Sequence, residues 1–153
     1  MTDTPFTFRL VTPQRLLLEA PIVSLEAPGS EGYLGVLAHH APLITPLRPG
    51  RLDVRDTAGV ESRYAVSGGF LEVSANRATV LADTAERVDE IDRTRAEASL
   101  KRAEARLSNE SRGADAPHGG DASRVGDASR DVDRARAQRS LERAKNRLAI
   151  SKG

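Results

Sequence analysis

Apolar and polar residues alternate with a period of two along the first half of this chain and recur at helical spacing along the second. Phe6, Phe8 and Leu10 fall on one side of an extended segment, with Thr7 and Arg9 on the other. That is the mark of a half-buried strand. The same reading predicts strands over 22–27, 33–37, 51–56, 60–66, 70–74 and 78–82. Pro28-Gly29-Ser30, Pro49-Gly50, Thr57-Ala58-Gly59, Gly68-Gly69 and Ala75-Asn76-Arg77 separate them, and such residues supply positive φ or local side-chain hydrogen bonds. Seven or more short strands at this spacing predict an antiparallel β-sandwich or barrel.

One segment breaks the alternation. Residues 35–47 place His39, His40, Pro42 and Pro46 among apolar neighbours, and prolines exclude a central strand, so an apolar loop or a sheet edge is expected. Adjacent histidines invite a metal or acid–base reading. Neighbours on a strand face opposite sides, however, and no Cys, third His or nearby carboxylate cluster completes a ligand set. A structural or interface role is the expectation for both.

From Asp89 onward Gly and Pro are absent until Gly113. Ile91, Ala98 and Ala105 form one helical row, with Ala96, Leu100, Ala103 and Leu107 beside it, which predicts an amphipathic helix over about 89–110. A second is expected over about 131–150, starting at Asp131 or Asp133 and carrying Ala137, Leu141, Ala144 and Leu148. Between them Gly-Asp-Ala-Ser-Arg occurs twice, at 120–124 and 126–130. This small polar composition predicts a flexible connector over 111–130. The expected organisation is α+β: a β-sandwich over 1–86, then an antiparallel two-helix hairpin over 87–153.

Composition sharpens the division. All five aromatic residues, Phe6, Phe8, Tyr33, Tyr64 and Phe70, precede residue 71. The first half can therefore build its own core, whereas the alanine faces of the second bury little, at about 0.8 kcal/mol per methylene. Two poses of the helices, folded against the sandwich or extended from it, are expected to differ by only a few kcal/mol. Residues 1–85 carry net −2 and residues 86–153 net +3. The basic surplus gathers at the end, where Arg134, Arg136, Arg139, Arg143, Lys145, Arg147 and Lys152 face three acids. Such a stripe suits an acidic partner or a polyphosphate. No cysteine is present, no run of 18 apolar residues occurs, and the opening residues do not read as a secretory signal. The protein is expected to stay where it is made.

Neither common phosphate loop occurs, nor a Gly-x-Ser-x-Gly elbow, and acids alternate with arginines as on solvated helix faces. Independent catalysis is not expected. Asp92 and Arg95 are three apart, and Arg143 and Arg147 four apart, so each pair shares a helix face. In a folded hairpin three guanidiniums would converge beside an acid and small apolar groups, a mixture suited to a nucleotide. Ordinary salt-bridged surface is the plainer reading of the same spacing. A nucleic-acid-binding adaptor is the alternative from another class, but no aromatic residue interleaves the arginines. A small sandwich enzyme using His39 or His40 lacks a nucleophile or metal set.

Four features together carry a family resemblance: Val11-Thr12-Pro13; Gly35-Val36-Leu37 followed by His40-Ala41-Pro42-Leu43; Val66-Ser67-Gly68-Gly69-Phe70-Leu71-Glu72-Val73; and the two terminal helices. Over nearly its whole length the chain resembles the epsilon subunit of bacterial F-type ATP synthases. The resemblance implies a sandwich of about ten strands that docks on the rotor, touching the gamma subunit and the c-subunit ring. His40, Pro42 and Leu43 are candidate contacts there. It implies a helical hairpin able to extend towards the alpha and beta subunits, with Arg134, Arg136 and Arg139 engaged. It implies a noncatalytic subunit at the cytoplasmic face of the cell membrane, coupling proton flow to ATP synthesis and restraining ATP hydrolysis. It implies no required cofactor and no nucleic-acid partner. ATP is implied as a regulatory ligand: the signature Ile or Leu, Asp, two variable residues, Arg, Ala is matched by Ile91, Asp92, Arg95 and Ala96, with Glu86, Arg143 and Arg147 as further contacts. The connector of about 20 residues departs from the family's short turn.

Overall fold

The computed structural model describes residues 3–113 and 125–151, and for 110–113 and 125–130 the backbone alone. Seven strands come first: β1 (Phe6–Val11), β2 (Leu16–Gly29), β3 (Gly32–Val36), β4 (Leu43–Asp56), β5 (Glu61–Ser74), β6 (Arg77–Ala82) and β7 (Ala85–Arg87). A single 3₁₀ turn, Val88–Glu90, leads to the helices α1 (Arg93–Gly113) and α2 (Val125–Ile150).

The strands run in the order β1-β6-β5-β4-β2-β3, with β7 paired to β5. Because β1 also pairs with β2, the path returns on itself and the sandwich is barrel-like. Among the described residues only β1 and β6 pair in parallel. Three of the seven strands are 14 residues long; β4 serves two partners, and β2 and β5 serve three each. Ten short strands were expected, and seven do the same work, because Pro49-Gly50 and Gly68-Gly69 act as corners within β4 and β5 rather than as ends. At one such corner the β4–β5 register passes from Leu47↔Gly69 to Pro49↔Ser67 and skips Arg48 and Gly68. Gly68 and Gly69 there have φ of 102° and 115°, a backbone that side chains oppose.

Phe8, Leu10, Ile22, Leu25, Val36, Leu52, Val66, Leu71 and Val80 fill the interior and are all but fully buried. The phase read from Phe6, Phe8 and Leu10 is the phase observed. Residues 16–21, absent from the expected strands, form the first part of β2 and pair with β1. The run Leu16-Leu17-Leu18 masks their alternation, and Thr12 and Arg15 close the intervening turn. The proline-bearing segment resolves as an edge: 43–46 pair with β5, while on the other side β2 reaches only Leu47. A ladder hydrogen bond that Pro46 cannot donate is therefore not missed.

The chain divides near Ile91 into two compact units: the sheet unit continues past residue 86, through β7 and the 3₁₀ turn, and Asp92–Leu148 form the second. In that second unit the helical backbone takes up both ends of the segment expected as connector, running on to Gly113 and starting again at Val125. No proline interrupts either stretch, so the helical preference of Ala and Arg extends past the expected caps. The remainder of the expected connector, 114–124 with His118, lies outside the described residues. Ala96 and Ala103 on α1 and Ala137 and Ala144 on α2 are buried, seven residues apart on each helix. Leu100, Leu107, Leu141 and Leu148 flank them half-buried, whereas Ala98 and Ala105, placed in the expected row, are exposed. An alanine is small enough to sit on either side of a stripe, so its phase is weakly encoded.

Candidate docking face and nucleotide site

On β5 the outward phase is Phe70, Glu72, Ser74, because Leu71 and Val73 point into the core. Register then sets the neighbours. Phe70 lies opposite Pro46 on β4 and Leu81 on β6, and Leu81 lies beside Val11 on β1. A line of apolar residues thus crosses four strands on the outside of the sheet. Phe70 is 54% and Leu81 49% exposed, and Ile44, one outward position along β4, reaches 74%. A shallow groove of about 330 Å³ runs along this line, walled by Val11, Pro13, Phe70, Leu81 and Ala82. Contiguous exposed apolar surface of this kind marks an interaction site.

The β3–β4 loop borders the face. His40 donates its backbone N–H to the Leu37 carbonyl at 3.2 Å, and its Nδ1 lies 2.8 Å from the Ala41 carbonyl. A carbonyl only accepts, so Nδ1 carries the proton and Nε2 is the ring's remaining acceptor when the ring is neutral. Pro42 is exposed, while Leu43 is half-buried against the core. Of the three expected docking residues, Pro42 is therefore exposed, His40 is half-buried, and Leu43 anchors the loop. Among the described residues no group of three or more His, Cys, Asp or Glu could hold a metal.

Arg134, Arg136 and Arg139 are exposed on α2, and Arg136 lies 3.8 Å from Asp133. An exposed pair at that distance contributes little.

For the nucleotide set, Asp92 has a definite structural task. Its Oδ1 accepts the Arg95 backbone N–H at 3.0 Å, and its carbonyl accepts the Ala96 N–H at 3.0 Å. It is the N-cap of α1. Arg95 is exposed, Ala96 fully buried, and Arg143 and Arg147 half-buried on α2. The structure thus joins Asp92 to Arg95 through the cap and sets Arg143 and Arg147 one turn apart. Glu86 and Ile91 belong to the sheet unit, where Glu86 pairs opposite Ala65 and Ile91 is buried. In the same unit the Arg87 guanidinium donates to both carboxylate oxygens of Asp89 at 3.1 and 2.9 Å. Beside it, burial pushes the Tyr64 phenol above its ordinary range, against an opposing pull from Arg87. The apolar line was missed from sequence, although the phase of Phe70 with Glu72 and Ser74 carried the signal.

The fold and its surface define a class: a β-sandwich head with an apolar outer face, followed by two helices with alanine-lined buried stripes. The family model for the beta-sandwich domain of the ATP synthase delta/epsilon chain matches residues 5–88. The ATP synthase epsilon chain of Syntrophomonas wolfei is 39% identical over 151 residues, 99% of this chain and 97% of that one. That of Moorella thermoacetica is 50% identical over 106 residues, 69% of this chain and 79% of the relative. The chain belongs to the family of ATP synthase epsilon chains. Its fold is shared by a chain of the Euglena gracilis mitochondrial ATP synthase, in a structure described as OSCP/F1/c-ring, with a TM-score of 0.70 at 23% identity, covering 95% of this chain and 80% of that one.

Proposed function

We propose that the chain is a noncatalytic central-stalk subunit of an F-type ATP synthase, docked on the rotor through its sheet. The observation that carries this reading is the outward apolar line of Pro46, Phe70, Leu81 and Val11 on the family's own domain. The gamma subunit covers that line, with His40 and Pro42 at its border, and the c-subunit ring contacts the same head. The subunit reaches the cytoplasmic face of the membrane through the complex. Among the described residues no helix is long and apolar enough to cross a membrane.

The helical unit acts as a restraint on hydrolysis. Its buried stripe is centred on four alanines, so the folded pose is stabilised only modestly and a ligand can decide it. ATP bound by Asp92, Arg95, Arg143 and Arg147, with Ala96 beside them, adds RT ln(1 + [L]/Kd) to the folded pose. When ATP falls, the exposed Arg134, Arg136 and Arg139 extend towards acidic surface on the alpha and beta subunits. Truncation after Ile91, reconstituted with the remaining subunits, is expected to leave assembly intact and raise ATP hydrolysis. Unchanged hydrolysis at low proton-motive force removes the inhibitory role. Loss of assembly on truncation removes the docking role assigned to the head.

A further inference from the structure

We propose that Asn76 is a positioning residue for docking: its side-chain amide clamps the β3–β4 loop in the backbone conformation that presents Pro42 beside the half-buried His40. The inference rests on the reading of the sheet face as the contact with the gamma subunit. Ala75 and Asn76 form the two-residue turn between β5 and β6, with φ of 49° and 56°, a twist-matched hairpin that favours Asn and Gly. The side chain of Asn76 reaches out of that turn. Its Oδ1 accepts the backbone N–H of His39, 37 positions away, at 2.9 Å. Its Nδ2 donates to the Pro5 carbonyl at 3.3 Å, and its own carbonyl accepts the Thr7 N–H at 3.2 Å. One residue therefore ties the chain's start, the β5–β6 turn and the β3–β4 loop together.

The loop requires such a tie. His39 has φ of 62°, a left-handed conformation that a residue with a Cβ adopts at a cost glycine avoids. With that φ the chain reverses, His40 bonds back to Leu37, and Pro42 feeds into β4 beside the exposed Ile44. The His39–Asn76 hydrogen bond is exposed, so its effect falls on the order of the loop more than on the stability of the core.

Two variants separate these effects. Asn76→Gly keeps the turn's positive φ and removes the clamp. Asn76→Asp keeps an oxygen able to accept the His39 N–H. The expected result is a roughly fivefold weaker affinity of the full chain for a gamma-containing subcomplex with Asn76→Gly, an affinity within about twofold of wild type with Asn76→Asp, and faster exchange of the His39 amide only in the former. The unfolding midpoint should not fall in step with affinity. If Asn76→Gly binds as wild type while Phe70→Glu abolishes binding, the clamp is refuted and the docking face stands. If Phe70→Glu also binds as wild type, the face reading fails and the clamp with it.

Discussion

An alanine at position 69 would bring its Cβ against the Leu81 carbonyl oxygen and to 2.9 Å from the Ala82 Cα, both main-chain atoms that no rotamer change can move. Its φ of 115° would in addition force a side chain into a conformation reserved for glycine, at about 1–3 kcal/mol. Relief of the clash requires β5 to part from β6 at the corner, where Gly69 pairs with Ala82, with the loss of one or two backbone hydrogen bonds at about 1 kcal/mol each. The sum is about 2–5 kcal/mol, a large share of the 5–15 kcal/mol typical of a domain. Two glycines calibrate it. Gly59 has φ of 82° but open space around it, so alanine there is expected to cost about 1 kcal/mol. Gly35 has neither clash nor positive φ, and alanine there should stay within about 0.5 kcal/mol of wild type. Urea unfolding followed by tyrosine fluorescence suits the comparison, because Tyr33 and Tyr64 are the only tyrosines, both lie in the sheet, and tryptophan is absent. A Gly69→Ala cost below about 1 kcal/mol, or no greater than that of Gly59→Ala, would refute the account of β5 as one strand pinched against β6 at its bend.

The cap and the ligand at Asp92 come apart by substitution. Asp92→Ala is expected to cost α1 about 1 kcal/mol in thermal unfolding monitored by circular dichroism, whereas Asp92→Asn, itself a good cap, should not. Both should lose the heat of ATP binding in isothermal titration. Tyr64 is neutral in the fold with its phenol held above the ordinary 10.0, so the unfolded chain releases the proton first. Stability should then be full below pH 10 and decline above it, and Tyr64→Phe should flatten that alkaline decline in urea titrations. Ala144→Leu overfills a position 2% exposed and is expected to destabilise the helical unit by about 1–3 kcal/mol. The same change at the exposed Ala98 should stay within about 0.5 kcal/mol when both are melted in parallel.

Local pattern carried the strand interiors well. The phase of Phe6, Phe8 and Leu10 and the edge character of 43–46 were legible because both follow from one strand's own chemistry. The continuity of β4 and β5 was not legible, since Pro49-Gly50 and Gly68-Gly69 end a strand as readily as they bend it, and only pairing across the corner decides. The same limit hid the docking line. Pro46, Phe70, Leu81 and Val11 come from four strands, and register between strands is a tertiary property. Asp92 was read as a nucleotide contact while its place before a helix also signals a cap; one carboxylate can satisfy both patterns. In the helices the stripe was misphased at Ala98 and Ala105 because alanine weighs equally on either side, whereas the leucines fell where expected.

The most direct test of the account is the affinity of the full chain carrying Ile44→Glu and Phe70→Glu for a gamma-containing rotor subcomplex. Both positions point outward and are 74% and 54% exposed, so the substitutions should leave urea unfolding unchanged. Charge introduced into a buried apolar interface should weaken binding at least tenfold. Wild-type affinity with an intact fold would contradict the assignment of this face to the rotor.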